Sequence, residues 1–259
     1  MRSSAISAII ASAFGLLCNA SAQLATSPDS TTQPITLNTD PALVAWWKLD
    51  EVTGQAAADS SKHAHHGRLM GGLSFDKGSA PGRIGGSLKF EGENGAIVIP
   101  NYQGVVGRQA RTVAAWIKLT VPRGEIISWG TDDFGKMWTF GFIREHVGVT
   151  PKGGYLYMKA MLNDNAWHHV AAVLQEADQP NLYNHAKIFK DGELAEIDDI
   201  GLLDLWPIDT GSALEVRIGR GFKGQIDDVR VYNRALTEDE VNSLFRLETD
   251  RPLAQDNGK

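Results

Sequence analysis

The chain has 259 residues, 42% of them hydrophobic and 22% charged, a balance that excludes wholesale disorder. Its 25 Lys and Arg against 31 Asp and Glu give a formal charge of -6, and no basic run offsets that field, which speaks against a nucleic-acid binder. Its 27 glycines follow no G-X-Y period, which excludes collagen, and beyond residue 17 no apolar stretch is long enough to cross a bilayer.

The first 22 residues read as an export signal. Arg2 supplies the positive start and Ala5 to Leu17 the short apolar run. Ala20-Ser21-Ala22 offers the small residues at which a signal peptidase cuts, leaving Gln23 first. The expected location is therefore secreted, periplasmic or cell-surface, with no membrane span after cleavage. Cleavage removes Cys18, the only cysteine, so the remaining 259 − 22 = 237 residues must fold without a disulfide. Residues 23–42, rich in Ser, Thr, Gln and Pro, read as a flexible linker, and the polar tail 248–259 as frayed. Residues 43–247 remain as one globular domain.

Inside that domain short apolar segments are separated by Gly, Asn and Asp. Strands are predicted over 43–49, 87–91, 96–99, 112–118, 125–129, 137–142, 154–159, 167–174, 185–190, 193–196, 214–218 and 225–232. Asp191-Gly192 between two of them suits a type I′ hairpin turn, whose central residues both need positive φ. About a dozen short strands at near-regular spacing argue for an all-β sandwich or barrel. One helix is predicted, opened by the capping box Thr237-Glu238-Asp239-Glu240 and running to about Phe245 with Val241, Leu244 and Phe245 as its apolar stripe.

Several segments then read together: Trp47-Lys48-Leu49-Asp50-Glu51, Asp59-Ser60-Ser61, Gly85 to Gly92, Thr112 to Lys118, Trp167-His168-His169-Val170-Ala171, Ile188 to Leu194, and Phe222 to Thr237 with its Ile226-Asp227-Asp228-Val229-Arg230-Val231-Tyr232 core. In this order and spacing the chain resembles the laminin-G-like domains of the concanavalin-A-like lectin/glucanase superfamily over about Leu43 to Phe245. The resemblance implies a jelly roll of two antiparallel sheets in which the first strand lies beside the last, so that Trp46/Trp47 share a sheet with Val229/Val231. It also implies a secreted, non-catalytic module that binds a carbohydrate or an extracellular protein, with a structural calcium ion as the expected cofactor. The same fold hosts glycoside hydrolases and polysaccharide lyases, and ligand-free structural envelope proteins, so these stand as alternatives.

Glu196 and Asp198 share a strand face as a hydrolase pair would, but no third acid follows at the right step. At Asp227-Asp228 the apolar alternation breaks, which suggests a bulge. One reading has Asp228 ligating calcium together with Asp59, and the other has these acids accepting backbone N–H bonds or pairing with Arg230 or Arg234. His63, His65 and His66 suit a zinc site or, more simply, a polar surface loop. His168 and His169 fall on one strand, so one ring faces each way, and no nucleophile accompanies them. Trp46, Trp47, Trp116 and Trp167 sit in strand motifs and read as core. Among the aromatics of the variable middle, Trp129, Trp138, Tyr155 and Tyr157 are the expected ligand contacts, with Arg144 beside them, because exposed ring faces stack on sugars.

Overall fold

The computed structural model describes residues 36–92, 94–201 and 205–249. The expected export signal and the start of the linker lie outside them. Among the described residues the elements are, in order, β1 (Leu43–Trp47), β2 (Ala56–Ala57), β3 (Gly67–Met70), α1 (Phe75–Gly78), β4 (Ser79–Pro81), β5 (Gly86–Glu91), β6 (Ala96–Ile99), β7 (Arg111–Lys118), β8 (Glu125–Gly130), β9 (Met137–Ile143), β10 (His146–Thr150), β11 (Leu156–Met158), β12 (Trp167–Leu174), α2 (Leu182–His185), β13 (Ala186–Lys190), β14 (Glu193–Leu194), β15 (Ile197–Ile200), β16 (Leu214–Ile218), β17 (Lys223–Tyr232) and α3 (Glu238–Thr249).

These strands form two antiparallel sheets. One has eight strands in the order β14-β13-β12-β7-β17-β5-β4, with β1 also paired to β17. The other has nine, β15-β11-β10-β9-β8-β16-β6-β3-β2. The opening tryptophans do lie against the closing strand: Trp46 pairs with Arg230 and Trp47 with Val229. Between the sheets sits the main core, which includes Trp47, Ile117, Trp129, Trp138, Phe140 and Val229.

The bulge expected at the paired acids is present. Asp228 has φ 51° and the register against β7 slips between Asp227 and Arg230. The slip corrects the parity of β17, so that Ile226, Val229 and Val231 all reach the core. Asp191 and Gly192 have φ 52° and 82°, as a type I′ turn requires. The α3 capping box closes as expected, Glu240 N donating to Thr237 Oγ1 at 3.2 Å and Thr237 N to Glu240 Oε2 at 2.8 Å.

Two features depart from the sequence reading. The linker does not extend to residue 42. Leu37 is buried, Tyr232 OH donates to Leu37 O at 3.2 Å and Arg234 Nε donates to Asp40 Oδ2 at 3.0 Å. Polar and proline-rich composition concealed these specific partners on β17 and the loop after it. Strands β2, β3, β4, β10 and β15 and the one-turn helices α1 and α2 are additional, being too short or too interrupted by Gly and Asp to show a period.

The two outer faces differ. That of the eight-stranded sheet carries a second apolar cluster, in which Ala114, Ala171, Val173 and Tyr232 meet Leu37 and the α3 residues Val241 and Leu244. All three helices pack mainly on this sheet, α1 on β5, α2 on β12 and β13, and α3 on β14. The outer face of the nine-stranded sheet carries half-buried polar side chains, Thr139, His146 and Thr150 among them.

Candidate functional site on the nine-stranded sheet

The site begins at the β9–β10 hairpin. Its turn residues are Arg144 and Glu145, with φ 49° and 72°. Both lie in the left-handed region that such a turn demands and that Asn-Gly fills most easily. Holding two side-chain-bearing residues there costs on the order of 1 kcal/mol or more each. The turn sets the parity of both strands. Trp138 and Phe140 on β9, and Val147 and Val149 on β10, enter the core. Thr139, Gly141, His146, Gly148 and Thr150 therefore face outward.

The register then builds a row across the sheet. Tyr157 pairs with Gly148, Gly148 with Gly141, and Gly141 with Glu125. The two glycines allow close approach of neighbouring chains. A Cβ on Gly148 would lie 2.3 Å from Leu156 O and 2.7 Å from Tyr157 Cβ, and one on Gly141 would lie 2.6 Å from Gly124 O. They leave a shallow floor in the sheet face. A depression of about 460 Å³ opens over Gly141, lined among others by Thr139, Ile143, Thr150, Glu125 and Arg220.

On one side of this floor stand three stacked rings. Tyr155 and Tyr157 lie 5.6 Å apart with an interplanar angle of 25°, and Tyr157 and His146 lie 5.3 Å apart at 27°. Tyr157 is buried between its neighbours, while Tyr155 and His146 are half-buried. The Tyr155 ring is seated on Gly201, where a Cβ would come within 2.3 Å of its Cε1. Asp199 on β15 gathers the polar ends. Its Oδ2 accepts from Tyr155 OH at 3.1 Å and Tyr157 OH at 3.5 Å and pairs with Arg144 Nη1 at 3.4 Å. The Arg144 guanidinium lies 5.1 Å from the Tyr155 ring centroid. Partial burial, and then the bond to Asp199, hold the Tyr155 phenol above its ordinary pKa. Across the floor, Glu125 accepts from Arg220 Nε at 2.9 Å and from Ser128 Oγ.

Three of the expected ligand contacts, Arg144, Tyr155 and Tyr157, thus come together, with Tyr157 as the buried support rather than an exposed face. Trp129 and Trp138 are corrections. They are 1% and 0% exposed, facing each other across 6.2 Å in the core, with Trp129 Nε1 donating to Val105 O at 3.0 Å and the Arg111 guanidinium over Trp138. Their strand parity points them inward, so neither offers a ring to a ligand.

Asp59 and Asp228, the expected calcium ligands, are engaged by protein donors. Asp59 accepts four bonds, from Trp46 N, Ser61 N, Ser61 Oγ and His65 N, all within 2.9 Å. Asp228 faces a cation already, Arg230, whose Nε and Nη2 lie 3.0 and 2.8 Å away, and it also accepts from Trp46 Nε1. Carboxylates turned toward N–H donors and a guanidinium do not fit a hard cation. Among the described residues no group of three or more His, Cys, Asp or Glu is placed to hold a metal ion. The histidine loop stacks instead: His63 on His65 at 5.8 Å, and His65 on Tyr102 at 3.9 Å. Glu196 is exposed and paired with Lys159 at 2.8 Å, unlike one of a hydrolase pair.

Sequence reasoning missed Asp199 as a site residue, along with Gly141, Gly148, Glu125 and Arg220. Asp199 sits in Ile197-Asp198-Asp199-Ile200, where two adjacent acids hide which one faces the site. In His146-Val147-Gly148-Val149-Thr150 only two apolar residues alternate, with a glycine between them, too little to mark a strand with a polar outer face.

Among solved structures, domain 4 of AbnA, a family GH43 extracellular arabinanase from Geobacillus stearothermophilus, solved in complex with arabinotriose, aligns with a TM-score of 0.57 at 19% identity, covering 78% of this chain and 97% of that one. The binding domain of Paraclostridial Mosquitocidal Protein 1 aligns with a TM-score of 0.54 at 15% identity over 79% of this chain and 52% of that one. The botulinum neurotoxin serotype G binding domain gives 0.50, 14%, 80% and 51%. The chain thus spans about half of each toxin domain, and at these identities the likeness is one of fold. No curated protein matches the sequence. A family model described as the concanavalin A-like lectin/glucanases superfamily matches residues 91–242, more than half of the chain. The two sheets, the pairing of β1 with β17 and this match agree: the chain belongs to the laminin-G-like family of that superfamily.

Proposed function

We propose that the chain is a non-catalytic, glycan-binding module of an exported protein, and that the open face of the nine-stranded sheet around Tyr155 is its binding surface. The observation that carries this reading is the half-buried Tyr155 ring, bonded through its hydroxyl to Asp199, flanked by Arg144 and stacked on Tyr157, the strand partner of Gly148. Apolar ring area beside fixed hydrogen-bonding groups is what a sugar ring presents a need for. The arabinanase domain, of similar fold and almost fully covered, was solved with an arabinotriose and supports the ligand class. A second depression, of about 470 Å³ between Lys159, Lys190, Asp191 and Glu196, has no aromatic lining residue.

The Tyr155, His146 and Arg144 set also favours a second reading, a polysaccharide lyase. β-Elimination needs a base and a cation that neutralises a uronate. Here Asp199 opposes both roles, since it accepts the phenol protons and already neutralises Arg144. Export rests on the N-terminal sequence. No helix among the described residues is long and apolar enough to cross a membrane.

The test is an oligosaccharide array probed with the purified chain, followed by calorimetric titration of the best ligand. Binding is expected, and Tyr155→Ala should weaken it about tenfold, roughly 1.4 kcal/mol. Absence of binding, or an unchanged affinity in the variant, contradicts the reading. Release of unsaturated products from a bound polysaccharide would replace it with the lyase.

A further inference from the structure

We infer that Asp199 makes this surface selective for uncharged sugars, the Asp199–Arg144 pair clasping neighbouring hydroxyls and turning away uronate and sialate residues; the inference rests on the glycan-binding reading above. Arg144 is 64% exposed at the side chain, and an exposed arginine beside a tyrosine ring would ordinarily be an anchor for a carboxylate-bearing sugar. Here that charge is cancelled. Asp199, on β15 beyond the intervening β11, lies 3.4 Å from it and is itself 41% exposed, so any ligand carboxylate reaching Arg144 must also approach Asp199.

The pattern of bonds says what remains available. Both tyrosine hydroxyls and Arg144 converge on one oxygen, Oδ2. Oδ1 takes no hydrogen bond from the described residues and remains an acceptor. Arg144 spends one Nη on Asp199 and keeps further N–H donors. An acceptor and a donor side by side match two adjacent sugar hydroxyls, one donating to Oδ1 and its neighbour accepting from the guanidinium. The tyrosine donors hold the carboxylate in place while this happens. Two other cations of the surroundings are likewise matched, Arg220 by Glu125 and Lys159 by Glu196, so neither is an unopposed anchor for an anion. The chain's net charge of -6 acts in the same direction at longer range.

The experiment is an array of neutral oligosaccharides set beside uronate- and sialate-bearing counterparts of matched length, probed with the full chain and with Asp199→Asn, followed by titration of the best ligand in each class. The wild-type chain is expected to bind neutral members only. Asp199→Asn, which keeps the shape and frees the Arg144 charge, should lose at least tenfold on the neutral ligand and gain measurable affinity for an acidic one. Arg144→Gln should weaken the neutral ligand without any gain for acids. Wild-type binding to acidic counterparts at equal or greater affinity overturns the inference while leaving glycan binding intact, as does a neutral affinity unchanged in Asp199→Asn. Silence of the wild-type chain on both halves of the array defeats the underlying reading and this inference with it.

Discussion

Asp227 is fully buried, with its Oδ2 accepting from Arg83 N at 2.7 Å and Ile84 N at 2.9 Å, while its neighbour Asp228 is ion-paired with Arg230. Burial pushes the Asp227 carboxyl up to about 8, the two backbone donors offsetting only part of that and Asp228 adding to it. In the unfolded chain the same group ionises near its ordinary value of 3.8. The unfolded state therefore binds fewer protons between about 4 and 8, and stability falls as pH rises through that window. Asp227→Asn mimics the protonated acid. It should leave stability unchanged near pH 4 and raise it at pH 8, flattening the profile measured by chemical denaturation at several pH values; a variant as pH-dependent as the wild type would contradict the assignment. Asp228→Ala should act differently, lowering stability by about 3 kcal/mol because the buried Asp228–Arg230 ion pair is broken. Thermal melts in calcium and in excess chelator should coincide for the wild type, since Asp228 and Asp59 already serve protein donors; a calcium-dependent rise in melting temperature lost in Asp228→Ala would restore the metal reading. The sequence showed that something interrupts the alternation at these acids. Arg230 was among the partners offered for these acids and Asp228 takes it, but the donors to Asp227 were not legible, because Arg83 and Ile84 are far away in the chain and reach it only through the fold.

At the scale of the strand, parity decides what each aromatic does. Met137 to Ile143 carries Trp138, Phe140 and Phe142 on one set of positions and Thr139 and Gly141 on the other, and the apolar set belongs inside. Trp138→Ala should therefore cost about 3–5 kcal/mol of stability, read as a lower denaturation midpoint. Any loss of ligand binding in it should track the unfolded fraction, whereas Tyr155→Ala should lose binding with its midpoint nearly unchanged. Equal stability in Trp138→Ala would contradict the core placement. The long strands β7 and β12 and the capping box of α3 were legible because hydrophobic period and cap chemistry are local. Strands β10 and β15 were not, since Gly148 and the two acids of β15 break the apolar pattern at the positions that form the site. The residues that weaken the strand signal are those the binding surface needs, small where a floor is required and charged where a ligand is met.

For the whole molecule, the closing of β1 onto β17 removes an edge, and α3 with residues 36–42 covers the outside of the eight-stranded sheet. What remains for recognition is the outer face of the nine-stranded sheet, whose β9–β10 hairpin holds Arg144 and Glu145 in the left-handed region. This division of labour was legible only in part: the composition and motif order pointed to a two-sheet sandwich, but which sheet is covered depends on where a 12-residue helix docks, and that is a tertiary outcome. The most direct measurement is amide hydrogen exchange with and without the oligosaccharide that binds best on the array. Slower exchange is expected in β9, β10, β11 and β15 around Arg144, Tyr155 and Asp199, with the eight-stranded sheet unchanged. Slowing confined to the eight-stranded sheet, or to the His63–His66 loop beside Tyr102, would place recognition elsewhere and contradict the assignment of the open face.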